Sequence, residues 1–321
     1  MRLSSRDIHT EASHETASRF HTCRIVGGHS DYWDPHGADS SRRHVGSGIR
    51  QESELPEQFG IALHAYHENF SRLPPGWIAD TQVGVPGWGW AAMALPYFEE
   101  YNLVNLIDYG RNIEDPINDR ARVATVQSFL CPSDNASGNP TFILNASTAP
   151  NIEFPLGQDH LPLRMASSNY VGSLGTNTLF DSTGTDDCPS HYIVGEGADK
   201  GNGPFYRNSK VNYKNVRDGL SHTVLVGERS SEQMDSTWVG VVHGAKDPIW
   251  RIVGHLREPP NGSGHMGHGH PWAMFSSEHS TLTNFLFMDG SVKPIFDEIE
   301  MDVFAAMGTV RGFEVIDDSQ F

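Results

Sequence analysis

The chain has 321 residues, room for one large domain or two ordinary ones. Hydrophobic residues make 37% and charged residues 20%, and 32 Gly with 19 Pro promise many turns; the composition is globular, if lean, and not that of a disordered chain. Lys+Arg 23 against Asp+Glu 40 gives a net charge of −17, which argues against nucleic acid and anionic lipid as partners, since both need clustered Lys and Arg.

No run reaches the ~18 apolar residues of a membrane span, and no basic-then-apolar signal peptide is visible at the start. Read literally, the chain is expected to be soluble and cytosolic. Residues 1–57 form an atypical polar segment with six His and no Lys, the texture of a disordered tail. From Gln58 the texture changes. Phe59, Ala62, Leu63, Tyr66 and Phe70 follow the spacing of one helix face, and the helix should stop before Leu73-Pro74-Pro75-Gly76. A second helix is predicted over Ala91–Ile107, with Pro96 setting its start or a kink.

Strand-like runs split by turns follow. They are Val123–Leu130, Asn169–Gly172, Gly203–Val211, Thr223–Val226 and Thr237–Val242. Asn284–Met288 and Ser291–Ile295 flank Asp289-Gly290, a strong hairpin signal because the turn needs positive φ. A last helix is predicted over Glu298–Met307. The sum is an α+β domain: an N-terminal helix, then a loop-rich antiparallel sheet. Trp77, Trp88, Trp90 and Trp238 are expected in the core or on a sheet face, since large rings bury the most area.

Few motifs speak for chemistry. His265, His268 and His270 crowd a Gly-rich loop, where three imidazoles are candidate metal ligands, although no nearby Cys or carboxylate completes a site. Gly262, Gly264 and Gly267 match GxGxxG but lack the strand before and helix after that a dinucleotide site requires. His279 and Asp289 are imaginable as a catalytic pair; the simpler reading gives Asp289-Gly290 to the turn and His279 to a loop before the strand. No nucleophile elbow, HExxH or P-loop occurs. Asn135, Asn145 and Asn261 open N-x-Ser sequons that read as chance matches. Cys23, Cys131 and Cys188 lack CxxC spacing, which argues against structural zinc; Cys131 and Cys188 are either a disulfide, if the protein is exported, or two thiols.

An ordered set of segments carries a resemblance. They are FGIALHAYHENFSRLPPG, GWGWAAMALPYFEEYNL, FLCPSDN, SNYVGS, GPFYRNSKV, DGLSHTVLVGERS, WVGVV, and His279 nine residues ahead of Asp289-Gly290. Together they resemble the DUF1559 family, prepilin-like proteins with an H-x9-DG motif, abundant in planctomycete-type bacteria. The resemblance covers Gln58 to the C-terminus and makes 58–321 the globular domain. It implies a pilin-like head outside the cytoplasm, no established enzymatic activity and no cofactor. It also implies a front end that this chain lacks: a leader, a Gly-Phe-Thr-Leu-x-Glu cleavage site and a long apolar helix anchored in the inner membrane.

The genetic code offers a place for that front end. In a frame shifted by one base, Arg19 through Arg24 can encode Gly-Phe-Thr-Leu-Val-Glu, and Ile25 through Arg43 can encode a continuous apolar run long enough to span a bilayer. The free wobble base becomes the middle base here, so the apolar run is easily met and the cleavage motif is the specific part. Residues 1–57 are therefore expected to be a frameshifted prepilin signal and stalk region, or else a disordered tail.

The expected function is a non-enzymatic, pseudopilin-like cell-envelope protein whose partners are other pilin-like or secretion-assembly subunits. It would meet the membrane only through the restored helix. The alternatives are an extracytoplasmic solute-, glycan- or Ca²⁺-binding module, and a metal-dependent hydrolase using His265, His268, His270 and His279 with Asp289.

Overall fold

The computed structural model describes residues 57–80, 83–134, 138–148, 156–176, 201–262, 273–314 and 316. The first element, α1, runs over 57–70. Its stripe of Phe59, Ala62, Leu63 and Tyr66 is buried as the periodicity predicts, but Phe70, predicted on the same face, lies in the last turn at 53% exposure, and Ile61 on the outer side is 70% exposed. Ser71 then takes a positive φ of 54°, and Pro74-Pro75 cannot resume the helix.

The strands β1 (Trp77–Ala79) and β2 (Pro86–Gly89) pair antiparallel. The helix predicted over Ala91–Ile107 is broken. It comprises α2 (Trp90–Ala94), a 3₁₀ turn (Leu95–Phe98) and α3 (Tyr101–Val104). Pro96 brings no N–H to the ladder, and Glu99 caps the 3₁₀ turn in the left-handed region at φ 62°. A short α4 (Asp119–Arg122) follows.

Val123–Leu130, predicted as a strand, is instead irregular with a 3₁₀ turn at Gln127–Phe129. Its apolar residues reflect burial, not pairing: Phe129 packs tilted against Phe59 and Trp238 and edge-on to Phe98. The hairpin of β3 (Thr141–Leu144) and β4 (Leu163–Ala166) went unpredicted. Gly203–Val211 and Thr237–Val242 form no strands and contribute only the isolated bridges Arg207–Trp77 and Gly240–Trp88. Gly240 sits at φ 150°, and a Cβ there would come within 2.2 Å of the Gly87 carbonyl oxygen, so only a glycine allows this segment to bridge β2 antiparallel at Trp88.

The main sheet has β5 (Tyr170–Gly175), β6 (Val224–Glu228), β7 (Val253–His255), β8 (Leu282–Phe287) and β9 (Val292–Phe296) in the order β7-β5-β6-β8-β9. Four strands are antiparallel neighbours, and β7 adds parallel to β5 at one edge. The last helix is α5 (Met301–Ala306), shorter than predicted.

Both faces of this sheet are covered. Along β8 and just past it, Phe285 and Phe287 join one cluster with α5's Phe304, and Leu286 and Met288 join the other with α1's Phe59 and Leu63. That alternation is the period of two expected of a strand, and a sheet buried on both faces explains why β5 and β6 read as continuous burial. Trp77, Trp88, Trp90 and Trp238 all lie in the larger cluster. Trp90 donates from Nε1 to the Ile252 carbonyl at 3.0 Å and stacks on Phe205.

Phe59 touches the rings of Trp90, Phe98, Phe129 and Tyr170. Phe59→Ala should cost about 3–5 kcal/mol in urea denaturation, and Ile61→Ala, one turn-face away, should stay within about 0.5 kcal/mol of wild type.

Candidate functional site

Glu228 ends β6, and its backbone registers against Tyr170 of β5. Its side chain is buried inside the domain. Oε2 accepts from the Asn284 backbone N–H at 3.0 Å and from the Asn284 amide at 3.3 Å, which fixes the carboxylate plane. Oε1 then faces His279 Nε2 at 3.6 Å.

His279 is held by the loop ahead of β8. Its backbone N–H donates to Ser277 Oγ at 2.9 Å, and that hydroxyl donates to the Leu282 carbonyl at 2.9 Å. Asn261 accepts from the Ser277 N–H at 2.9 Å and donates to Asp297 at 2.9 Å. Asn261, noted as a sequon, thus works as a brace for this loop.

Cys131 arrives from the far side, where the 3₁₀ turn ends. Its N–H donates to Asn169 Oδ1 at 2.9 Å. Asn169 donates from its amide to the Arg229 carbonyl at 3.2 Å and accepts the Arg229 N–H on its own carbonyl at 2.7 Å. One asparagine therefore fastens the cysteine loop to the end of β6. Donor atoms of Cys131, Glu228 and His279 all lie within 4.8 Å of one another. Interaction with the Cys131 sulfur, and next with the Glu228 carboxylate, raises the His279 pKa to about 10 against the pull of burial.

Arg229 follows Glu228 and is 1% exposed. Its guanidinium donates to four carbonyls: Met274 at 2.7 Å, Ala273 at 2.8 Å, Val253 at 3.2 Å, and Trp250. Ser230 donates its N–H to Ser276 Oγ at 3.0 Å, and Ser231 donates its N–H and hydroxyl to Asp134 at 2.8 and 2.5 Å. The segments FLCPSD, SNYVGS, GERS and FSSEH, far apart in sequence, meet here.

Asp289-Gly290 does not. It lies at the other end of β8, about 20 Å away at ~3.4 Å per residue, so His279 and Asp289 form no catalytic pair. Asp289 Oδ1 accepts from the Ser291 N–H at 2.9 Å and hydroxyl at 2.7 Å, and Gly290 takes φ 89°. The loop closes through Phe287 and Ser291, three residues long rather than two, with Gly290 at the left-handed position. This turn sits against α1: His64 Nε2 lies 3.1 Å from the Met288 carbonyl, and a Cβ on Gly60 would come 3.4 Å from Gly290 Cα.

His265, His268 and His270 lie outside the described residues, as do Gly264, Gly267 and Cys188. Cys131 is buried, 5% exposed, and its candidate disulfide partner Cys188 lies outside the described residues. Sequence reasoning flagged His279 and Cys131 separately and passed over Glu228. The signal was present in the motif segments FLC, GER and EHS, but nothing in their spacing says that they converge.

The donor set is sulfur, nitrogen and oxygen aimed at one point, and it suits a borderline transition-metal ion. The fold and site define an α+β domain built around a sheet covered on both faces, with a Cys–Glu–His cluster at one end of its central strands. The chain belongs to the family described as protein of unknown function (DUF1559), whose profile matches residues 56–302. No curated protein and no solved structure matches it.

The two halves of the H-x9-DG motif thus have separate structural duties. In a double-mutant cycle, His279→Gln and Glu228→Gln should couple by about 0.5–3 kcal/mol, and His279→Gln with Asp289→Ala should add to within about 0.5 kcal/mol. Urea denaturation of the three single and two double variants measures both.

Proposed function

We propose that this chain is the head of a non-enzymatic, pseudopilin-like cell-envelope protein, whose partners are other pilin-like subunits. The observation that carries the reading is the seating of α1. One of its faces is sunk into the core against the antiparallel sheet, while Ile61 and Phe70 remain 70% and 53% exposed on it. A stalk helix held by its own head needs such a buried face, and its outer apolar residues suit neighbouring helices in an assembly. The resemblance of the sequence motifs to prepilin-like proteins implies the same reading. Among the described residues no helix is long and apolar enough to cross a membrane. In this reading the anchor is the apolar run that the shifted frame ahead of Gln58 can encode.

The test joins gene sequence to location. The nucleotide sequence across codons 19–57 should read the cleavage motif in the shifted frame. With that frame restored, the head should fractionate with membranes and be digested by protease added to spheroplasts, while a cytosolic marker survives. A head recovered intact in the cytosolic fraction contradicts the reading.

A second reading rests on a cleft of about 420 Å³ lined by Asn202, Tyr206, Lys210, Thr309, Arg311 and Glu314, among others. Its mixed charge suits an extracytoplasmic solute- or glycan-binding role. Calorimetric titration with Ca²⁺ and oligosaccharides decides this: saturable heat favours the binding module, and flat traces remove it.

A further inference from the structure

We propose that Cys131, Glu228 and His279 form a three-ligand site for a divalent ion of the zinc class, which staples the cysteine loop, β6 and the loop ahead of β8 together. Three observations carry this.

The first is the donor set. Thiolate and imidazole select zinc-class ions over Ca²⁺ or Mg²⁺, which take oxygen ligands. A Cys, a His and a Glu give one donor of each kind that zinc accepts.

The second is the spacing. Zinc lies about 2.3 Å from sulfur and about 2.0–2.2 Å from nitrogen and oxygen, so tetrahedral donors sit about 3.3–3.7 Å apart. His279 Nε2 and Glu228 Oε1 stand 3.6 Å apart. That is longer than the ~2.7–3.2 Å of a hydrogen bond and right for two ligands of one ion. Glu228, 2% exposed, aims Oε1 into this gap and makes no hydrogen bond through it. A buried carboxylate oxygen needs a compensating charge; a protonated His279 supplies it in the empty site, and an ion in the gap supplies it with the imidazole neutral and free to ligate. The sulfur lies within the same 4.8 Å circle.

The third is the support behind the donors. Asn284 holds the Glu228 carboxylate by its other oxygen, Asn169 holds the Cys131 backbone, and Ser277 holds the His279 backbone. The bonds to Glu228 orient the ligand carboxylate itself, as the outer partners of metal ligands do, and those to Cys131 and His279 fix the backbone from which the other two donors project. The His279 side chain is 16% exposed and the Glu228 side chain 2%, so the imidazole edge is the path of entry. A water or the Ser133 hydroxyl, 3.1 Å from the Cys131 sulfur, completes four-fold coordination.

The site differs from the histidine-rich loop around His265, and the experiment must separate the two. The full chain is purified under reducing conditions, stripped with a chelator and titrated with Co²⁺. The expected result is one equivalent bound with a thiolate-to-cobalt charge-transfer band and the intense visible bands of tetrahedral cobalt, both removed by Zn²⁺. Cys131→Ser should abolish the charge-transfer band, and His279→Gln and Glu228→Gln should weaken binding at least tenfold. A chain with His265, His268 and His270 all changed to Gln should keep the band. Zn²⁺ should also raise the melting temperature of the wild type but not of Cys131→Ser. A wild-type chain with no charge-transfer band overturns the proposal, whatever the variants do. So does a band unchanged in folded Cys131→Ser, or binding lost only with the three loop histidines.

Discussion

The buried guanidinium of Arg229 is the constraint on which the rest of the domain depends. It gathers the carbonyls of Trp250, Val253, Ala273 and Met274, which belong to two segments far apart in sequence. A single side chain thus donates to four backbone carbonyls, groups that are costly to bury without a partner. Burial, and then the charge of Arg251, pulls the Arg229 pKa down; four carbonyl dipoles aimed at the cation oppose that pull. The planar fork of arginine suits this work, and a lysine offers only a point charge on a flexible stem.

From that anchor the site follows. Arg229 points one way from the end of β6, and Glu228, its neighbour along the strand, points the other. The first ties down the loops on its side of the strand, and the second meets Cys131 and His279. Asn169 links the two functions, since it binds both the Cys131 N–H and the Arg229 backbone. A sheet covered by α1 on one face and α5 on the other holds β6 rigid enough for these short contacts to persist. At the opposite end of β8, Asp289-Gly290 docks the hairpin turn against α1 through His64 and Gly60. The paired motif residues therefore pin the two ends of one strand.

Elements with a strong local signal were legible in the sequence. The stripe from Phe59 to Tyr66 predicts α1, and Asp289-Gly290 predicts the β8–β9 hairpin. The four tryptophans are core residues as expected. Apolar runs without alternation misled: Val123–Leu130 and Thr237–Val242 are apolar because they are buried, and burial needs no ladder. The β3–β4 hairpin was missed because its strands are short and separated by a long connection. The parallel addition of β7 to β5 is a long-range pairing that local periodicity does not encode. The Cys131–Glu228–His279 cluster was hidden for the same reason. Each residue sits in an unremarkable local context, and only the tertiary crossing of three segments gives them a shared point.

The most direct measurement of this account is hydrogen exchange on the full chain carrying Arg229→Lys. If Arg229 is the anchor, amides around Trp250–Val253, Ala273–Met274 and the loop bearing His279 lose protection together, while α1 and the β3–β4 hairpin keep theirs. Exchange unchanged in those loops, or raised uniformly across the domain, would contradict the claim that one buried arginine holds the site in place.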